Sequence, residues 1–206
     1  MMKIKIFLIM IFLLGCVAET VPPVQNYTLE TENPELVLTS LVHRPQVIKI
    51  TPIKALSEYS RRDIIYSDQD NQLNSYAYSR WNDAPVKLLE NIIQQKLENS
   101  GLFKAVISSS SFSRADLLLE SRLLDFRQKG INQGESTSIV RARFYLVNTA
   151  NRSIIDSKEF TATVPLKTVN AKGAVNALNQ ASNQIADKLV KWLAENRQRL
   201  GQQAEN

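Results

Sequence analysis

Between residues 139 and 147 apolar and polar side chains alternate without interruption. Val140, Ala142, Phe144 and Leu146 are interleaved with Arg141, Arg143 and Tyr145. A period of two marks a strand with one buried face and one wet face. Such a strand needs neighbours, and both flanks supply them. Residues 116–126 place Leu117, Leu119 and Leu123 on one side and, under strict alternation, Leu118, Leu124 and Phe126 on the other. Residues 153–164 return after a polar turn at 148–151, and residues 130–135 make the other hairpin loop. Three antiparallel strands in succession are expected.

Two helices complete the pattern. After Trp81, the residues Asn82, Asp83 and Pro85 form a helix start, with either polar side chain as cap and proline in the first turn. Val86, Leu89, Ile93 and Leu97, beside Leu88 and Ile92, make its apolar face, and Gly101 ends it. The second helix covers residues 171–200. Val175, Leu178, Ile185, Leu189, Trp192 and Leu193 recur at helical spacing, Asn170 is its cap, and Lys188, Lys191, Arg197 and Arg199 suit its negative end. Shorter strands are expected at 27–29, 47–50 and 102–107, with a hairpin around 59–66 and 76–78. The chain therefore reads as α+β, a single domain with a mixed, mostly antiparallel sheet and two main helices packed on one face. The other face is left half polar.

The amino terminus is of another kind. Lys3 and Lys5 precede a near-continuous apolar run, residues 4–14, closed by Gly15 and Cys16. A spanning helix needs about 20 apolar residues, so this run reads as an export signal. Leu13-Leu14-Gly15-Cys16 resembles a bacterial lipobox, in which the thiol receives a diacylglycerol, the chain is cut before the cysteine and the new amine is acylated. Cys16 is the chain's one cysteine and stands at the required spot. The expected organisation is a lipoprotein signal peptide at 1–15, a lipidated terminus and tether at 16–26, a folded domain at 27–200 and a disordered tail at 201–206. Pro22-Pro23 favours extended geometry, so the tether can lift the domain about 30 Å from a bilayer. Val17, where aspartate commonly signals inner-membrane retention in such lipoproteins, points to the outer membrane with the domain facing the periplasm.

The chemistry-bearing residues are sparse. The net charge of +5 falls by two when Lys3 and Lys5 leave, and basic residues are scattered among acidic ones, which argues against nucleic acid as partner. One histidine, His43, leaves no metal cluster and no triad with a Gly-x-Ser-x-Gly elbow. There is no P-loop or dinucleotide fingerprint, and only 6 glycines to build one. No cofactor is implied beyond the acyl chains on Cys16, and the chain does not read as an enzyme. The densest unusual cluster is Tyr76, Tyr78, Arg80 and Trp81, the residue types of interface hot spots. The favoured reading is that Trp81 and one tyrosine anchor the first helix in the core while Arg80 pairs locally. The polar loop at 67–74 adjoins this cluster and is a candidate for binding.

Taken in order, these features resemble one family, the ABC-type transport auxiliary lipoproteins of the paraquat-inducible protein C type. The resemblance rests on the lipobox, Tyr27-Thr28-Leu29 after the tether, Arg62-Asp63-Ile64-Ile65-Tyr66, Tyr78-Ser79-Arg80-Trp81 leading through Pro85 into the helix, Gly101-Leu102-Phe103 with Val106, and Trp192-Leu193. Ser67 stands where arginine is common in that family. The resemblance implies a docking accessory of an ABC transport system whose partner is an MCE-domain protein, carrying lipid across the envelope. Two other classes stay open: a lipid carrier with an apolar cavity between sheet and helices, and a general envelope-assembly lipoprotein. Self-association is also left open.

Overall fold

The computed structural model describes residues 21–32, 43–68, 72–130 and 135–195. Its centre is the alternating segment, strand β7 (Thr137–Asn148), flanked by β6 (Leu117–Lys129) and β8 (Ile154–Pro165) in long antiparallel ladders. Val140, Ala142, Phe144 and Leu146 are buried on its inner face, as the alternation requires. β6 departs from strict alternation. A bulge between Leu123 and Asp125 inserts one residue and reverses the phase. Phe126 therefore joins Leu117, Leu119 and Leu123 in the core instead of facing away from them.

The outer edge of β6 is shared by two parallel neighbours. Its start pairs with β2 (Arg44–Ile50), which pairs on its far side with β5 (Phe103–Ile107), also in parallel. Its end pairs with β3 (Asp63–Ser67), which is antiparallel to β4 (Asn74–Trp81). Short β1 (Gln25–Tyr27) adds to β4 in parallel, so Gln25 and Asn26, expected ahead of the folded domain, belong to the sheet. Among the described residues, eight strands thus form one mixed sheet in an α+β domain. Pro45 lies within β2, where a register shift between Arg44 and Val47 accommodates a residue with no N–H.

Helices α1 (Pro85–Ser100) and α2 (Ala171–Glu195) cover the inner face. Leu89, Ile92, Ile93 and Leu97 of α1 and Leu178, Ile185, Leu189 and Leu193 of α2 are buried with Ala174 and Ala181, whose small side chains let α2 lie close to the strands. Asn170 caps α2: its Oδ1 accepts the Gly173 N–H at 2.9 Å. The cap of α1 differs from the sequence reading. Ala84 occupies the N-cap position without a side-chain bond, and Asp83 Oδ1 instead accepts the adjacent Ala84 N–H at 2.7 Å and lies 3.6 Å from Lys87 Nζ. Gly101, at φ 62°, closes α1 in the left-handed conformation that glycine adopts without strain.

Candidate functional site

The cluster around Tyr78 owes its geometry to an interruption in the β3–β4 ladder. Asp63 pairs with Arg80, yet Ile65 already pairs with Ser75. Residues 76–79 of β4 are thus opposed by Ile64 alone, and the strand arches outward. The arch separates the four candidate side chains. Trp81 is 0% exposed and packs edge-on against Phe126, ring centres 5.8 Å apart. It anchors the core and does not reach the surface. Tyr76 is half-buried, stacked obliquely on Tyr66 at 5.0 Å, and its hydroxyl donates to Gln128 Oε1 at 2.6 Å. Burial raises the Tyr76 phenol above its ordinary pKa, and the neighbouring Tyr66 adds to this. Tyr78, 47% exposed, and Arg80 remain on the surface. Arg80 Nε donates to Asn26 Oδ1 at 3.2 Å, and Arg62 Nη2 reaches the same oxygen at 3.1 Å. That shared amide joins β1, β4 and the turn before β3.

Beside the arch lies an open cleft of about 570 Å³, lined by Glu58, Arg61, Asp63, Tyr66, Leu73 and Asn74 among others. Its walls are mostly polar. Between sheet and helices, by contrast, the space is filled by Trp81, Phe126, Phe144 and the leucines of both helices. His43 is exposed, with Nδ1 3.2 Å from the Gly101 carbonyl. Among the described residues no group of His, Cys, Asp and Glu converges as a metal site, and no helix is long and apolar enough to cross a membrane. Cys16 and the signal segment lie outside the described residues, as do residues 69–71 of the candidate loop, Arg197, Arg199 and the tail 201–206.

Several polar side chains matter to the structure and carry no periodic signal. Arg44, buried under α2, donates through Nη2 to the Leu193 carbonyl at 2.6 Å and the Ala194 carbonyl at 3.3 Å. It places a positive charge at that end of the described helix, where the sequence also suggested Lys188, Lys191, Arg197 and Arg199, the last two lying outside the described residues. Asn179 and Asn183, one turn apart, hold the chain after β1. Asn179 Oδ1 accepts from the Glu30 N–H at 2.7 Å, and Asn183 Oδ1 from the Glu32 N–H at 2.9 Å.

A family model described as ABC-type transport auxiliary lipoprotein component matches residues 27–190. The chain belongs to that family. No curated protein sequence matches this auxiliary lipoprotein significantly. Among solved structures, it is similar to a Xanthomonas campestris protein assigned to the family model DUF330, with a TM-score of 0.76, 19% identity, and coverage of 86% of this chain and 99% of that one. A hypothetical protein from Chlamydia trachomatis is similar with a TM-score of 0.52, 10% identity, and coverage of 73% and 96%. At these identities the structural likeness speaks for the fold. The family description makes this chain the auxiliary lipoprotein component of an ABC-type transport system.

Proposed function

We propose that this auxiliary lipoprotein docks the periplasmic MCE-domain protein of an ABC-type lipid transporter to the outer membrane. Signal residues 1–15 are removed, Cys16 carries the acyl chains, and the segment up to β1 tethers the folded domain. The family match over residues 27–190 carries the reading. The filled core supports docking over carriage, because a lipid carrier needs an apolar cavity where Trp81, Phe126 and Phe144 pack. The docking surface includes Tyr78 and Arg80, with Tyr76 behind them, beside the point where the tether joins the sheet.

Two measurements test this. Cys16→Ser is expected to release the protein from the outer-membrane fraction, since two or more acyl chains are needed for stable anchoring. Tyr78→Ala with Arg80→Ala is expected to keep the melting temperature while recovering less of an MCE-domain protein from membranes of the source cell. Unchanged fractionation, or undiminished recovery by the double variant, would remove the anchor or the surface respectively. No co-purification of an MCE protein with the parent chain would remove the docking reading itself.

A further inference from the structure

The sheet face opposite the helices carries a row of cations set by strand register. Lys54 forms a parallel bridge with Arg122, Arg122 lies directly opposite Arg143, and Arg143 lies opposite Glu159. Residues paired side by side project from the same face, and strands are about 4.8 Å apart, so three cations stand within roughly 10 Å. All three are exposed. Glu159 is already shared: it accepts from Arg143 Nη2 at 2.6 Å and lies 3.7 Å from Arg141 Nη1. No carboxylate stands within ion-pair distance of Lys54 or Arg122 among the described residues.

Like charges directly opposite one another destabilise a sheet. The register cannot slip to relieve them, because a shift of one residue would turn Val140, Ala142 and Phe144 out of the core. A local penalty retained in a well-packed sheet is expected at a working surface. We propose that this row is a docking surface for an extended acidic segment of a protein partner, whose carboxylates are received by Arg122, Arg143 and Lys54. Guanidinium groups take carboxylates in bidentate pairs, and the long Lys and Arg side chains, rooted about 4.8 Å apart on successive strands, can splay to the roughly 6.6 Å between alternate side chains of an extended chain. Carboxylates on the same face favour a peptide over a bilayer. Glu120 and Glu159 flank the row and would meet the continuous negative charge of a membrane, whereas a segment with discrete charges avoids them. The proposal deepens the docking reading by giving the chemistry of one contact, at residues other than Tyr78 and Arg80.

The test uses the full lipidated chain in detergent and a labelled dodecapeptide of alternating Glu and Ser. Saturable binding is expected, weakening between 50 and 200 mM salt and falling at least tenfold in Arg122→Gln, with melting unchanged or raised. Lys172→Gln, an exposed cation on α2, is expected to bind as the parent does. Equal binding by Arg122→Gln, or none by the parent, overturns the proposal. So does capture of phosphatidylglycerol vesicles that depends on Arg122 while the peptide is ignored, which would assign the row to a membrane. If the peptide fails while the parent still recovers the MCE protein, docking stands and this surface falls; peptide binding without such recovery gives the reverse.

Discussion

Lys96 of α1 and Asp187 of α2 form an ion pair, Nζ to Oδ1 2.8 Å, that joins the two helices over the sheet. The partners are unequally placed: the Lys96 side chain is 2% exposed and that of Asp187 34%. Removing the carboxylate leaves a buried ammonium unpaired, a loss of about 3–5 kcal/mol. Removing the ammonium leaves a carboxylate that water reaches. Asp187→Ala is therefore expected to be far more destabilising than Lys96→Met, and adding Lys96→Met to Asp187→Ala to restore most of the loss. Urea denaturation of the three variants decides it; equal losses for the two single changes would contradict the asymmetry.

Gly173 reverses the usual rule for glycine in helices. Glycine to alanine inside a helix ordinarily stabilises by about 1 kcal/mol. Here a Cβ would stand 1.9 Å from the Thr168 carbonyl oxygen and 2.7 Å from its hydroxyl. Gly173→Ala is expected to cost about 1–3 kcal/mol by displacing the turn that precedes the helix. A melting temperature at or above the parent's would show that the turn yields freely.

The Tyr59 hydroxyl donates to Asp125 Oδ1 at 3.2 Å beneath the β6 bulge, and Asp125 also pairs with Arg127 at 3.2 Å. Burial, and then the Asp125 charge, raise the phenol pKa from the ordinary 10.0. The unfolded chain loses this proton near pH 10 while the folded one keeps it. Its contribution is thus complete below pH 10 and is lost as pH rises through the raised value. Tyr59→Phe is expected to cost about 1 kcal/mol at neutral pH and to flatten the alkaline decline, to which Tyr76 also contributes. Identical alkaline limbs for parent and variant would exclude Tyr59 as a source.

Leu89 and Ile93 bury the centre of α1. An aspartate at either position has no partner there, and the expected loss of several kcal/mol approaches the whole stability of a domain, about 5–15 kcal/mol. Circular dichroism of Leu89→Asp at room temperature is expected to show a largely unfolded chain.

Much of the domain is legible in the sequence, because periodicity is a local property. The alternation around Phe144 placed β7 and its inner face, and helical spacing placed α1 and α2 with their apolar stripes. Asn170 and Gly101 marked helix ends through the backbone groups they satisfy or permit. Tertiary structure decided what depends on partners distant in the chain. No local signal says that β2 lies between β5 and β6, or that β6 bulges after Leu123 and turns Phe126 inward. The candidate site divides the same way. Aromatic residues flagged the segment at 76–81, but the skipped register opposite Ile64 left Tyr78 exposed and sent Trp81 into the core. Arg44, Lys96 and Asn183 are buried because a helix carbonyl, an aspartate or the chain following β1 meets them, and each partner is remote in sequence. The alternation did put Arg143 on the wet face; only the strand register set it beside Arg122 and Lys54.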